Sequence, residues 1–313
     1  MSAKFAFVFP GQGSQAVGML DAWGDHPEVL RTLDEASAAL GEDIATLIKA
    51  GPKEQLDLTT NTQPVMLTAG IACYRAWIAE TGLVPAAAAG HSLGEYSALV
   101  AAGALTLAQA LPLVRFRAQA MQQAVPVGVG AMAAILGLEA QAVRDTCVTA
   151  AAASGEAVEA VNFNDPKQTV IAGSKAGVDK ACELLKAAGA KRALLLPVSA
   201  PFHSSLMKPA AEALRVKLNE TAFGPLSFPV INNIDVAEVN TAEALRDALY
   251  RQAFGPVRWV EVIQALKARG ITHIIECGPG KVLAGMSKRI DPEIIGTTVL
   301  DPTSLAEARA LLA

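Results

Sequence analysis

The segment Gly90–Gly94, with the sequence Gly-His-Ser-Leu-Gly, restricts the fold more than any other part of the chain. The alanine run Ala86–Ala89 precedes it and predicts a short buried strand, whereas the residues from Ser92 to Ala102 predict a helix. A strand that turns directly into a helix through G-x-S-x-G is a nucleophile elbow, in which small residues permit a strained turn. Ser92 is therefore the candidate nucleophile, and the free N–H groups at the start of the helix can stabilise an oxyanion.

Ser92 also has a purely structural interpretation. The run from Ser92 to Glu95 fits S-x-x-E, a capping box in which the serine only begins a helix. The strand before the motif and the glycines on both sides of it favour the nucleophile.

Strands that alternate with helices predict a mainly parallel sheet covered on both faces. Phe5–Phe9 is the first expected strand, and Thr272–Cys277 is the last expected strand of the same domain. Residues 128–197 instead predict the order β-α-β-β-α-β, which is a ferredoxin-like unit. We therefore expect an α/β protein with a larger α/β-hydrolase-like domain, residues 1–127 and 198–313, and a smaller inserted ferredoxin-like lobe, residues 128–197. A cleft between them is the expected place for a site.

Helical periodicity outside the inserted lobe predicts helices over Glu28–Leu40, Gln63–Ala79 and Leu111–Gln123. Within the lobe, Lys191–Val198 is the last predicted strand.

A nucleophilic serine needs a base, and the chain has four histidines. His91 adjoins the serine, where neighbouring side chains diverge at a tight turn, and His26 lies at a predicted helix start. His273 lies within a predicted strand. His203 remains, in the loop Ser199–Ser204 that follows the inserted lobe, and it comes after the serine in chain order, as in α/β-hydrolases. We predict that His203 is the base.

The group that orients this base stays open at this point. Asp165 and Asp235 are candidates, and a backbone carbonyl can fill the same role.

Gln12 is a candidate for the oxyanion hole. The run Gly11–Ala16 matches the dinucleotide fingerprint G-x-G-x-x-A, but a helix is predicted over Glu28–Leu40, where that fold needs a second strand. A dinucleotide site is therefore excluded. Between two glycines at the end of a strand, Gln12 can instead offer its backbone N–H to an oxyanion.

Two arginines lie within one predicted helix. Arg115 and Arg117 are two positions apart and face different directions, so at most one points into a site. A buried arginine there would hold a carboxylate through two parallel hydrogen bonds.

The composition excludes several classes of protein. A net charge of −4 argues against sequence-independent binding of nucleic acid. No apolar stretch reaches the ~20 residues that a membrane span needs, and the N-terminal apolar run is too short for a signal peptide. The cysteines are widely spaced without a metal-binding pattern, so we expect reduced thiols, no metal and a cytoplasmic location. They are Cys73, Cys147, Cys182 and Cys277.

Six segments together resemble the bacterial malonyl-CoA:acyl carrier protein transacylases, over nearly the whole chain. The segments are Phe9–Gln15, Gly90–Glu95, Arg115–Arg117, Gly130–Ala134, Val161–Asn164 and Gly278–Gly280. The resemblance implies that malonyl passes from coenzyme A to a serine ester and then to the phosphopantetheine thiol of acyl carrier protein, for fatty acid synthesis.

The resemblance also implies a role for individual residues. Ser92 would be the nucleophile and His203 the base and acid, with the backbone N–H groups of Gln12 and Leu93 as the oxyanion hole. Arg117 would bind the malonyl carboxylate.

Three further roles come from the same resemblance. The backbone carbonyl of Gln252 would orient the histidine, and Asn162 would line the pocket. Phe202, just before the histidine, goes with malonyl rather than branched acyl groups in related modular acyltransferases.

The implied partners are malonyl-CoA and an acyl carrier protein, with no cofactor, no nucleic acid, no membrane and a monomeric enzyme. Acidic carrier proteins would dock on basic pairs such as Lys288–Arg289 or Lys191–Arg192. Two alternatives remain: a hydrolase that uses water as acceptor, and a non-catalytic carrier-docking module in which Ser92 is only a helix cap.

Overall fold

The computed structural model describes residues 3–198 and 200–313. Met1, Ser2 and Ser199, the last of which belongs to the predicted loop before His203, lie outside the described residues. The strands in the described part are β1 Phe5–Phe9, β2 Ala87–Gly90, β3 Gly130–Leu136, β4 Val158–Asp165, β5 Gln168–Ser174, β6 Arg192–Leu195, β7 Val230–Ile231, β8 His273–Cys277 and β9 Ile295–Val299.

Helices connect most of these strands. In chain order they are α1 Pro27–Leu40, α2 Ile44–Ala50, α3 Lys53–Leu56, α4 Thr59–Thr81, α5 Gly94–Ala101, α6 Leu107–Ala124, α7 Ala140–Ser154, α8 Lys175–Ala187, α9 Lys208–Glu220, α10 Ala242–Phe254, α11 Trp259–Ala268, α12 Val282–Ile290 and α13 Pro302–Leu312. None of the helices within residues 3–198 and 200–313 has the length and apolar character needed to cross a membrane.

The first sheet has the strand order β7-β2-β1-β8-β9, and all of its pairings are parallel. Its central strand β1 is buried at every position, as expected for a strand covered on both faces. Phe5, Phe7 and Phe9 point to one face, against α4, while Ala6 and Val8 point to the other. The prediction of a mainly parallel sheet is confirmed.

The second sheet is antiparallel and has the order β4-β5-β3-β6. Its strands and the two helices α7 and α8 follow the predicted order β-α-β-β-α-β along the chain. An apolar cluster between the sheet and these helices includes Ile135, Val143, Ile171 and Leu185. Strand β4 also bonds to the backbone of Val257, which ties this sheet to the segment between α10 and α11.

Several predicted bounds differ from the structure. Helix α6 begins at Leu107 instead of Leu111, because a capping box formed by Thr106 and Gln109 starts it before Pro112. Strand β6 ends at Leu195, three residues before the predicted end. Leu196 still donates to the carbonyl of Met132 in β3, but Val198 then donates back to the carbonyl of Leu196, which turns the chain.

The parallel sheet places four loops at one edge. Gln12 follows β1, Ser92 follows β2, Asn233 follows β7 and Gly278 follows β8. The carboxyl ends of parallel strands are the usual place for ligand sites in such sheets. Gln12 and Ser92, two of the candidates from the sequence, therefore lie at the edge where a site is expected.

Helix α5 approaches β1 so closely that only glycine fits at its first position. A Cβ on Gly94 would lie 2.0 Å from the carbonyl oxygen of Phe9, and one on Gly90 would lie 1.9 Å from the carbonyl group of Gly94. The two glycines of the elbow therefore permit the contact between the strand and the helix.

We expect Gly94→Ala to lower the free energy of unfolding by about 3 kcal/mol, because the methyl group overlaps the backbone of β1. Urea denaturation would measure the change. Gly285→Ala, within α12, is the matched control: its Cβ would lie 3.5 Å from Arg289, and alanine should stabilise the helix by about 0.5–1 kcal/mol. Equal effects of the two substitutions would contradict the packing described for α5.

Candidate active site

Ser92 lies on the turn between β2 and α5 with a left-handed φ of 53°. Its Oγ lies 2.7 Å from Nε2 of His203. The residue before the first turn of α5 is Leu93, which makes no side-chain cap, and the carboxyl of Glu95 accepts from Asn233 and Gln252. The capping-box interpretation of Ser92 is therefore wrong, because the serine side chain faces a histidine and not the helix backbone.

His203 is buried and also has a positive φ, of 66°. Its Nδ1 lies 2.9 Å from the backbone carbonyl of Gln252. Since a carbonyl only accepts, Nδ1 carries the proton and Nε2 is free to accept from the Ser92 hydroxyl. The two acidic candidates have other partners: Asp165 binds Arg289, and Asp235 binds Arg251. The group that contacts Nδ1 of His203 is therefore a backbone carbonyl and neither of the two aspartates.

The environment of His203 keeps its imidazole neutral. Burial, and next the charge of Arg117, lower the pKa of His203 from 6.5 to about 3. A carbonyl orients the ring without adding a negative charge that would oppose this shift. The imidazole is thus available as a proton acceptor throughout the neutral range.

The other histidines take structural positions. His91 is buried, its Nε2 lies 2.8 Å from Oδ1 of Asn164, and its ring lies against Trp259. The Nδ1 of His26 accepts from the backbone at the start of α1, and His273 lies in β8. Among the described histidines, only His203 contacts the Ser92 side chain.

Arg117 points into the site from α6, with an exposed fraction of only 2%. Its Nη1 donates to Oε1 of Gln63 at 2.8 Å, and its Nη2 lies 3.1 Å from both Ser92 Oγ and Gln252 Oε1. Within the described chain, no carboxylate forms an ion pair with this guanidinium. A buried cation held by neutral amides and a hydroxyl can bind a ligand carboxylate directly.

Arg115 faces the other way, where it donates to Asn61 and to Glu42. The prediction that at most one of the two arginines points into a site is confirmed.

A cavity of about 130 Å³ lies beside the serine. It is lined by residues of the antiparallel sheet, of helices α4 and α6 and of the loops that follow β1, β2 and β6: Gln12, Gln63, His91, Ser92, Leu93, Arg117, Met121, Met132, Asn162, Leu196, Val198, Phe202 and His203. The backbone N–H groups of Gln12 and Leu93 donate to no other described residue. Both are therefore available to an oxyanion formed next to Ser92.

Asn162 and Phe202 line this cavity from the side of the antiparallel sheet. Oδ1 of Asn162 is buried, and no partner for it occurs within residues 3–198 and 200–313. No three His, Cys, Asp or Glu side chains in the described part of the chain are grouped so that they could hold a metal ion.

Two polar residues that contact the site residues are not among those predicted from the sequence. Asn233, in the loop after β7, bonds to the backbone of Ser92, and Gln63 bonds to Arg117. Gln63 lies on a correctly predicted helix, but its sequence context does not show which residue it faces. Asn233 follows a strand of only two residues, which periodicity alone does not reveal.

Comparison with known proteins places this geometry in a family. The family model described as "Acyl transferase domain" matches residues 6–290. The malonyl CoA-acyl carrier protein transacylase of Escherichia coli K12 is 50% identical over 309 residues, which cover 98% of this chain and 99% of the relative. The chain belongs to the malonyl-CoA:acyl carrier protein transacylase family. It is therefore an acyltransferase.

Solved structures of transacylases agree with this assignment. An acyl-carrier-protein S-malonyltransferase from Burkholderia pseudomallei 1710b is 64% identical, with a TM-score of 0.96 over 97% of this chain and 99% of that one. A malonyl-transacylase in complex with its type II PKS acyl-carrier protein is 48% identical, with a TM-score of 0.95 over 98% and 99%. The transacylase fold thus covers almost all of the chain.

The neutral state of His203 predicts a pH dependence of stability. Below pH 6.5 the unfolded chain binds a proton at this histidine, whereas the folded protein does so only near pH 3. The free energy of unfolding therefore falls as the pH falls. Between pH 7.5 and 5.5 the native sequence should lose about 1.4 kcal/mol more than His203→Gln, as measured by urea denaturation. Equal pH slopes for the two proteins would show that His203 does not have a lowered pKa.

Proposed function

We propose that this transacylase transfers malonyl from malonyl-CoA to the phosphopantetheine thiol of an acyl carrier protein by a ping-pong mechanism, supplying fatty acid synthesis. The observation that carries the proposal is the buried Arg117 guanidinium, 3.1 Å from Ser92 Oγ and without an ion-pair partner among the described residues. This cation fits the free carboxylate that distinguishes malonyl from acetyl. The names of the relatives support the same substrate and acceptor.

In the first half-reaction Ser92 attacks the thioester carbonyl. The Oγ–C bond forms while the hydroxyl proton passes to Nε2 of His203, 2.7 Å away. The C–S bond then breaks, and the imidazolium returns its proton to the coenzyme A thiolate. In the second half-reaction the carrier thiol gives its proton to Nε2 of His203, and its sulfur forms a bond to the malonyl carbonyl carbon. The C–Oγ bond then breaks, and the imidazolium returns the proton to Oγ, which restores the Ser92 hydroxyl.

The negative charge on the carbonyl oxygen needs donors that are already in place. The backbone N–H groups of Gln12 and Leu93 serve as the oxyanion hole, since both border the cavity and donate to no other described residue. Gln252 orients His203 through its carbonyl, while Asn162 and Phe202 contact the substrate from the other wall.

The proposal extends to partners and location. The carrier docks on a basic surface, for which Lys288–Arg289 and Lys191–Arg192 are the candidates. Helix α12 supports the first pair, because its residues Val282 and Leu283 line a cavity that adjoins Gln12. The enzyme works as a monomer, without a cofactor or a membrane. Its net negative charge disfavours nucleic acid as a partner, and its widely spaced cysteines favour the cytoplasm.

The proposal also includes the division of the chain. A larger α/β-hydrolase-like domain, residues 1–127 and 198–313, would carry the nucleophile, the base and the arginine. A ferredoxin-like domain inserted at 128–197 would close the cavity. The separate apolar cluster beneath the antiparallel sheet supports this division.

Incubation with malonyl-CoA should add one malonyl mass to the protein, and peptide mapping should place it on Ser92. Ser92→Ala should remain unlabelled. When holo carrier protein is added, the label should move to its phosphopantetheine thiol faster than malonate appears in solution, which separates a transferase from a hydrolase. A label on any other residue, or release only as free malonate, would refute the mechanism.

Arg117→Ala should reduce kcat/KM for malonyl-CoA by about 100-fold, because a charge-assisted contact to the carboxylate is lost. Acetyl-CoA has no carboxylate at this position, so the ratio of acetyl to malonyl transfer should rise. Arg115→Ala, on the same helix but facing Glu42, is the control and should keep the original ratio. An unchanged ratio in Arg117→Ala would mean that the arginine does not select the acyl group.

A further inference from the structure

Asn233, in the loop after β7, contacts the turn that carries the nucleophile at two points. Its Nδ2 donates to the carbonyl oxygen of Gly90 at 2.7 Å, and its Oδ1 accepts from the N–H of Ser92 at 2.8 Å. The side chain has no exposed surface. One side-chain amide thus connects the last residue of β2 with the nucleophile. Its N–H donates to the strand, and its oxygen accepts from the serine.

The turn needs such support because its backbone is strained. A residue other than glycine in the left-handed region costs about 1–3 kcal/mol and stays there only when its surroundings hold it. Ser92 has a φ of 53°. The two hydrogen bonds from Asn233 are made on both sides of His91, so they oppose relaxation of the turn.

Glu95 connects this support to the base. Its Oε2 accepts from the backbone N–H of Asn233 at 2.9 Å and from Nε2 of Gln252 at 3.0 Å. Nε2 of Gln252 also donates to the carbonyl of Ser92, and the backbone carbonyl of Gln252 accepts from His203. The buried carboxyl of Glu95 therefore links the loop of Asn233, which contacts the serine, to Gln252 on α10, which contacts the histidine.

The loop that carries Asn233 is itself fixed. Arg251, on α10, donates through two nitrogens to the two carboxylate oxygens of Asp235, each at 2.7 Å. Oδ1 of Asn232 accepts from the backbone N–H of Asp235. Because α10 also carries Gln252, the loop and the carbonyl that orients the base share one support.

We propose that Asn233 and Glu95 are positioning residues for acyl transfer. They fix the distance and direction between Ser92 Oγ and His203 Nε2, and neither is among the described residues that line the cavity. For the identity of the reaction this assignment rests on the proposed function, whereas the geometry is the same for any electrophile that Ser92 attacks.

The test is Asn233→Asp, followed over pH. A protonated carboxyl can donate to Gly90 and accept from Ser92, as the amide does, but an ionised carboxylate directs an acceptor at the Gly90 carbonyl. The readout is the second-order rate at which phenylmethylsulfonyl fluoride modifies Ser92, measured by mass spectrometry. In that reaction the Oγ–S bond forms, fluoride leaves, and the hydroxyl proton passes through His203 to solvent.

We expect the rate of Asn233→Asp, divided by that of the native sequence at the same pH, to fall at least 10-fold between pH 5.5 and 8.5. The ratio cancels the titration of groups whose pKa is the same in both proteins, and Asn232→Asp measures how far an added carboxyl shifts the neighbouring groups. The charged and titratable groups around the turn are Glu95 on α5, Arg117 on α6, His91, His203, Asp235 and Arg258.

Asn232→Asp is the matched control, because Asn232 is also buried but bonds to Asp235 and not to the elbow. Its ratio should not change with pH. A flat ratio for Asn233→Asp, or an equal fall for Asn232→Asp, would overturn the proposal. If the native protein is modified at Ser92 but transfers no malonyl, the proposed function fails while the positioning role is still measured.

A second pair of variants covers the case in which Asn233→Asp does not fold. Glu95→Gln keeps an acceptor for both Asn233 and Gln252. Glu95→Leu leaves the backbone N–H of Asn233 without its acceptor and Nε2 of Gln252 with the carbonyl of Ser92 alone. Modification of Ser92 should stay within about 3-fold of native in the first variant and slow by at least 30-fold in the second. In malonyl transfer the second should lower kcat and leave KM nearly unchanged. Equal rates for the two variants would overturn the role of Glu95.

Discussion

The contact between the end of β2, the start of α5 and the side chain of Asn233 is the constraint on which the site depends. Gly90 and Gly94 let the helix approach the strand, and the amide of Asn233 holds the turn between them. Without this contact the backbone of Ser92 would relax from the left-handed region. The hydrogen bond to His203 and the position of the Leu93 N–H both follow from that conformation.

A neutral carbonyl takes the place that an aspartate has in a serine–histidine–aspartate triad. An aspartate beside His203 would raise its pKa and would also attract the guanidinium of Arg117. With the Gln252 carbonyl instead, the arginine keeps its charge for a ligand and the histidine stays unprotonated. The carbonyl partner of His203 and the buried cation of Arg117 therefore belong to one electrostatic arrangement.

Much of the site could be predicted because local patterns carry it. The elbow at Ser92 follows from glycine spacing, and His203 follows from the small number of histidines. Other features depend on tertiary pairing. Strand β7 has two residues and exists because it pairs with β2, so Asn233 behind it gives no local signal. Glu95 fits a capping box in sequence, and only the fold shows that its carboxyl serves Asn233 and Gln252 instead.

Leu196, Val198 and Phe202 form one apolar wall of the cavity, and His203 follows them on the same short segment after β6. The residues that shape this wall and the histidine thus lie on the same segment of the chain. Substitutions that enlarge this wall for larger acyl groups would also displace His203. A change in acyl specificity at these positions would therefore also change kcat. Met121 and Met132 lie on other elements and have flexible side chains, which makes them the better positions for such engineering.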